Sequence, residues 1–199
     1  MLKRTNSMSK NMMIFAGPNG AGKTTLAYEY LDVFNYYYLS ADAIATELAP
    51  DGKFHDVKIQ AGRKFFHQLN NLIAEGKDII IESTLSGLGF QRIIQRFKQA
   101  NYTITISFIY LETPEVCIKR IKERVLKGGH HVPEKDVKRR FIRSKNNFWH
   151  TYKNQADYWH LFYNTNYSFI EVAIGQDTKF TVTDEALFKL FLRDLNGVT

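Results

Sequence analysis

The 199-residue chain is 44% hydrophobic and 24% charged, the usage of an ordinary soluble globular domain, which excludes a disordered tail or a fibre. At this length one domain can bury its core without disulfides or metals, and the single cysteine, Cys117, cannot form an internal bridge, so a reducing, cytosolic compartment is expected. With 27 basic residues against 20 acidic the net charge is +7, which asks for an anionic partner without naming it.

The polar start, Met1 to Ser7, is followed by only a short apolar run, Met12 to Ala16, so neither a signal peptide nor a membrane span is expected. One domain over 1–199 is expected, with 1–10 flexible. The Met12–Ala16 run reads as a buried strand cut off by Gly17-Pro18. Thr24 to Val33 reads as a helix and Tyr36 to Leu39 as a second strand. Ser40 or Asp42 then caps a helix over Ala43 to Leu48. From Asp56 to Glu75 the apolar residues Ile59, Phe65, Phe66, Leu69, Leu72 and Ile73 recur helically up to Gly76. Ile79 to Ile81 is a third strand, Phe90 to Gln99 a helix, and Thr103 to Leu111 a strand rich in β-branched and aromatic residues. Proline opens and glycine closes a helix from Pro114 to Lys127, and Pro133 opens another. Trp159 to Tyr163 is a fifth strand. Phe169 to Ile174 and Phe180 to Val182 suit a hairpin before a last helix, Glu185 to Leu195. Strands alternating with helices predict an α/β domain whose mainly parallel sheet is covered on both faces.

The chemistry is concentrated in Gly17, Pro18, Asn19, Gly20, Ala21, Gly22, Lys23 and Thr24, followed by Thr25. This is G-x-x-x-x-G-K-[ST] between an expected strand and an expected helix. Glycines let successive N–H groups turn around phosphate oxygens at a helix N-terminus, the lysine reaches the β/γ-phosphates and the threonine hydroxyl serves Mg²⁺. ATP and Mg²⁺ are therefore the expected cofactors of a P-loop NTPase.

In open α/β sheets active groups gather at the carboxyl ends of the strands. Asp42 follows the second strand, where it either takes a proton from an attacking hydroxyl or caps its helix. Glu82 ends the third strand, where a carboxylate helps hold Mg²⁺ or grips the acceptor; the alternative is a surface acid. Thr84 either bonds the acceptor or caps the next turn.

Between Lys119 and Lys145 eleven Lys or Arg stand against three acids, a balance of +8 that leaves the rest of the chain at −1. In the helix from Pro114, Ile118, Ile121 and Val125 share one face while Arg120, Arg124 and Lys127 lie on another; in the next, Val137, Phe141, Ser144 and Phe148 face inward. The two helices meet at Gly128-Gly-His-His-Val-Pro133. We read the region 114–156 as a basic lid whose arginines meet a migrating phosphoryl group; the alternatives are a solvated basic face and nucleic-acid binding. His130 and His131 either touch phosphate or acceptor or make local hydrogen bonds. Cys117 reads as a small core residue. Phe148, Trp149, Tyr152, Tyr158 and Trp159 read as core aromatics rather than base-stacking ones.

The segments Phe15–Thr25, Ser40–Ala45, Ile81–Gly87 and Arg124–Pro133 with Arg139-Arg140-Phe141 resemble the zeta-toxin family of P-loop kinases, in its short stand-alone form. The resemblance implies a nucleoside-kinase-like five-stranded parallel sheet of order 2-3-1-4-5 and ATP-dependent transfer to a hydroxyl of a sugar or nucleotide sugar such as UDP-N-acetylglucosamine. It implies Asp42 as the base, Lys23, Arg124 and Arg140 as further catalytic groups, and Arg139 with the loop on the triphosphate. Glu82, Thr84 and His130 would line the acceptor site, with Thr24 and Glu82 toward the metal. A toxin of this kind has an antitoxin protein as partner, and neither membrane nor nucleic acid is expected. The competing reading is a nucleotide-gated binding module, on nucleic acid or as an inactive antitoxin partner.

Overall fold

The computed structural model describes residues 10–49, 54–165, 168–176 and 179–195. The expected flexible start lies outside these residues apart from Lys10, which already belongs to the first strand. In chain order the elements are β1 (Lys10–Ala16), α1 (Lys23–Leu31), β2 (Tyr37–Leu39), α2 (Ala41–Leu48), α3 (Phe54–Ala74), β3 (Ile79–Ser83), α4 (Gln91–Gln99), β4 (Tyr102–Tyr110), α5 (Pro114–Leu126), α6 (Glu134–Asn147), β5 (Tyr158–Asn164), β6 (Phe169–Gln176), β7 (Lys179–Val182) and α7 (Glu185–Leu192).

The strands form one sheet in the order β2-β3-β1-β4-β5-β6-β7. The first five run parallel, in the expected order. The sheet has seven strands rather than five, because β6 and β7 add antiparallel to the β5 edge. The reason lies in Trp159. Gly175 of β6 passes so close to the indole that an added Cβ would sit 2.2 Å from it, and Phe180 of β7 lies 5.7 Å from the same ring. The hairpin therefore covers a large apolar side chain that the parallel sheet alone would leave open.

Alternation along the central strands serves two cores. One face, carrying Met12, Ile14, Ile79, Ile81, Ile104, Ile106 and Phe108, packs against α3, α4, α7 and the segment Phe148–Tyr152. The other, with Phe15, Ile80 and Ile109, is covered by α1 through Leu26 and Ala27. Of the apolar residues expected to bury on α3, Phe65 and Leu69 do, whereas Ile59 and Phe66 are exposed; only one stripe of this outer helix meets the sheet. Phe148, Tyr152 and Trp159 are core residues as expected, but Tyr158 is 41% exposed, since strand alternation turns it away from the face that buries Trp159.

The basic helices have a small core of their own, built from Leu111, Cys117, Ile118, Ile121, Val132, Val137 and Phe141. Burial raises the Cys117 thiol to about 12, so it is an inert packing residue. The glycine pair ends α5 as a Schellman motif: Gly128 donates its N–H to the Val125 carbonyl at 3.0 Å and Gly129 to the Arg124 carbonyl at 2.9 Å, with Gly128 at φ +85°. From Lys145 onward the chain belongs to the main core. Lys145 is fully buried, paired with Asp194 at 2.7 Å and ringed by Tyr110, Phe141 and Phe191, so one member of the basic stretch is structural.

Candidate active site

The phosphate loop joins β1 to α1 at the carboxyl end of the sheet. Gly17 has φ +139°, and a Cβ there would lie 2.1 Å from the Ile109 carbonyl oxygen of β4. Gly22 has φ +94°, and a Cβ would lie 2.4 Å from Asn164 Nδ2. Both positions demand glycine twice over, for backbone conformation and for space. The Asn164 amide in turn donates to the Ala21 carbonyl at 2.7 Å, tying the loop to the end of β5. Lys23 Nζ donates to the Pro18 carbonyl at 3.0 Å across the loop. Burial lowers its pKa, and the carboxylates of Glu82 and then Asp42 oppose that shift.

Parallel pairing places Glu82 beside Phe15 and Ser83 beside Ala16, so the end of β3 delivers its carboxylate to the loop. Thr24 Oγ1 donates to Glu82 Oε2 at 3.1 Å, and the Tyr38 hydroxyl donates to Glu82 Oε1. Glu82 is therefore an oriented, half-buried acid. On α2 it is Ser40 that caps, accepting from the Ala43 N–H at 3.3 Å, which leaves the exposed Asp42 in the first turn without a capping duty. Thr84 does stabilise its turn, accepting from the Ser86 N–H at 3.4 Å and sharing a 2.9 Å hydrogen bond with the Ser86 hydroxyl. Leu85 follows at φ +50°, and the segment is pinned from α6 and beyond by Asn147, donating to the Leu85 carbonyl at 2.8 Å, and by Tyr152, donating to that of Gly87 at 2.6 Å.

Two clefts meet at Lys23. The larger, about 1220 Å³, runs from Gly20–Thr25 under the basic face of α5, with Lys119, Arg120, Arg124 and Lys127, to Phe162, Asn164 and Phe169. The smaller, about 440 Å³, is lined by Asn19, Lys23, Asp42, Glu82, Thr84 and the α6 arginines Arg139, Arg140 and Arg143. Arg124 thus faces the first cleft, its guanidinium donating to the His130 carbonyl at 2.7 Å. Arg140 faces the second and donates to Asn19 Oδ1 of the loop at 3.2 Å. Arg139 lines the same second cleft and is paired with Asp136 at 2.7 Å. His130 stands where Asp42, Arg124, His131 and Arg140 all act on it, and burial lowers its pKa.

Three participants escape a sequence reading. Arg120 donates to the carbonyls of Asn164 and Thr165 at 3.4 and 3.1 Å. Arg143 lines the smaller cleft and Tyr38 holds Glu82. Only the arginines left a signal, as members of the basic stretch. Thr24 and Glu82 offer hard oxygen donors at the loop, the pairing that Mg²⁺ uses together with substrate phosphates. Among the described residues no group of three or more His, Cys, Asp or Glu could hold a metal by itself, and no helix is long and apolar enough to cross a membrane.

Residues 12–143 match the family AAA_33, described as an AAA domain. A protein of Haemophilus influenzae, described as uncharacterised, is 33% identical over 137 residues, 67% of this chain and 94% of its own length. Among solved structures, the AvrRxo1-ORF1:-ORF2 complex with ATP contains a chain similar at a TM-score of 0.76 and 16% identity, over 96% of this chain and 66% of that one. The PezAT chromosomal toxin–antitoxin system of Streptococcus pneumoniae gives a TM-score of 0.65 at 16% identity, over 100% of this chain and 84% of that one. The present chain spans just under two thirds of the AvrRxo1 chain it matches. With the phosphate loop, the parallel sheet and the family match in agreement, the chain belongs to the AAA_33 family of AAA domains and has a P-loop kinase-like fold.

Proposed function

We propose that this protein is a cytosolic phosphotransferase that moves the γ-phosphate of ATP to a hydroxyl of a small molecule, a sugar or nucleotide sugar such as UDP-N-acetylglucosamine, in the manner of zeta-toxin-like kinases. The observation that carries this reading is the position of Lys23 on the walls of both clefts. A donor compartment and an acceptor compartment that share the phosphate-loop lysine suit transfer between two bound molecules better than hydrolysis or nucleotide-gated binding. The larger cleft takes the nucleotide, its triphosphate curled into Gly17–Thr24. The smaller takes the acceptor, with Asp42 accepting the proton of the attacking hydroxyl. Lys23 and Arg140 face the migrating group from the loop and from α6, offsetting charge that spreads over its oxygens. Thr24 and Glu82 would hold Mg²⁺, which when bound would offset the negative charge of the phosphates. Arg124, released from the His130 carbonyl, reaches the triphosphate from α5, and Thr84 and His130 contact the acceptor.

The fold likeness to a chain from a toxin–antitoxin system supports extending the proposal to a neutralising protein partner. The reading is tested by incubating the purified protein with ATP, Mg²⁺ and a panel of sugars and nucleotide sugars, followed by ³¹P NMR and mass spectrometry. A product heavier by one phosphoryl group identifies the acceptor. Consumption of ATP to ADP and inorganic phosphate alone, unchanged by every acceptor, overturns the transfer reading.

A further inference from the structure

Glu82 is held from both sides. Thr24 of the phosphate loop donates to Oε2 at 3.1 Å, and the phenol of Tyr38 donates to Oε1. Tyr38 sits on β2, an edge strand that reaches the site only because it pairs in parallel with β3, Tyr38 beside Ile80 and Leu39 beside Ile81. Its ring is half-buried in the α1-side core, 5.6 Å from the ring of Tyr28, so its hydroxyl is delivered from a packed position rather than from a mobile tip. A free carboxylate rotates, and either of its oxygens can then meet a cation; a carboxylate with one oxygen occupied presents the other in a fixed direction.

We propose that Tyr38 is a positioning residue for the metal site: by occupying Oε1 of Glu82 it presents Oε2 to Thr24 and to the divalent cation that enters with the nucleotide. The inference rests on the phosphotransferase reading for the identity of that cation, and goes beyond it in assigning a role to a tyrosine outside the lining of both clefts. The ring packing would survive removal of the hydroxyl, which makes Tyr38→Phe a clean test.

The measurement is the affinity for an ATP analogue with a non-hydrolysable β–γ bridge, in EDTA and again in saturating Mn²⁺. The ratio of the two affinities reports coupling between cation and nucleotide. Tyr38→Phe is expected to leave the EDTA value unchanged and to reduce the ratio about tenfold, the size of a lost hydrogen bond to a charged group. In a Glu82→Gln background the same substitution should change the ratio by less than about twofold, because the two residues act through one contact. A ratio in Tyr38→Phe equal to that of the native protein, or losses that multiply across the double variant, overturns the proposal. Native protein that binds no analogue under either condition overturns the phosphotransferase reading itself, an outcome distinct from failure of Tyr38 alone.

Discussion

Arg140 on α6 donates to the side-chain oxygen of Asn19 in the phosphate loop at 3.2 Å, across 121 residues of sequence. This contact anchors a basic helix to the phosphate loop. In the proposed mechanism the guanidinium lies next to the migrating phosphoryl group. Arg140→Ala should reduce kcat about a thousandfold, as loss of a phosphate-clamping arginine does, with ATP affinity reduced far less. Arg140→Lys should not restore the rate, because an ammonium cannot span Asn19 and phosphate together. Steady-state kinetics with an identified acceptor, alongside calorimetric ATP titration, separate the two effects.

The sequence left the cap of α2 open between Ser40 and Asp42, and left Asp42 open between that cap and a proposed general base. Ser40 caps α2 and Asp42 does not. Asp42→Asn should therefore reduce phosphoryl transfer by at least about a hundredfold, the usual contribution of a general base, with the melting temperature unchanged. Ser40→Ala should instead cost about 1 kcal/mol of stability and reduce transfer far less than Asp42→Asn does. Loss of stability in Asp42→Asn with transfer intact would make Asp42 a helix-terminus residue and remove it as the base.

The phosphate loop and the first five strands were legible because each rests on local signals: glycine spacing, short apolar runs and proline–glycine punctuation; the order of those strands came from the family resemblance and not from such signals. The inward faces of α5 and α6 were legible from helical spacing, and Ile118, Ile121, Val137, Phe141 and Ser144 are buried as that spacing requires. What was not legible depends on partners distant in sequence. The β6–β7 hairpin extends the sheet because Trp159 needs cover, and Tyr38 acquires a role because β2 pairs with β3. The basic stretch reads as one surface in sequence, yet its members separate in space. Lys119, Arg120, Arg124 and Lys127 face the larger cleft; Arg139, Arg140 and Arg143 face the smaller; Lys122 and Lys138 pair with Glu134 and Glu115; Lys145 is core.

Gly22 tests the loop itself. A methyl group there meets Asn164 Nδ2 at 2.4 Å and requires an alanine at φ +94°. Relieving the clash breaks the Asn164 to Ala21 hydrogen bond. Gly22→Ala should destabilise the fold by about 1–3 kcal/mol and abolish detectable ATP binding. Retention of native ATP affinity would mean that the loop adapts and that its observed conformation is not the binding one.

The Lys145–Asp194 pair makes a prediction about stability alone. Burial lowers the pKa of Lys145 while Asp194 opposes the shift, the sign of a charge that is costly to bury and held by its partner. Lys145→Ala should cost about 3–5 kcal/mol in urea denaturation, because it removes packing among Tyr110, Phe141 and Phe191 and leaves the Asp194 carboxylate only its 3.6 Å contact with Arg193. Replacing both together, Lys145→Met with Asp194→Leu, should come within about 1 kcal/mol of the native protein. A double variant as weak as the single one would show that the charge pair itself, rather than the packing, stabilises this corner.

His130 gives the site a pH dependence of defined sign. Burial lowers its pKa below the ordinary 6.5, with Asp42 opposing and Arg124, His131 and Arg140 adding to the shift. The unfolded chain then binds a proton near pH 6.5 while the folded one does not, so between the two values the unfolded state carries more protons. Stability must rise with pH through this window and fall as pH drops below about 6.5. Replacing the histidine by a residue that does not titrate removes that component. The loss of unfolding free energy between about pH 7.5 and about pH 5.5 should be smaller in His130→Asn than in the native protein, and His131→Asn, at the exposed neighbouring position, serves as the comparison. Equal slopes in native protein and His130→Asn would place His130 in water, away from Asp42 and the arginines, and would remove it from the acceptor site.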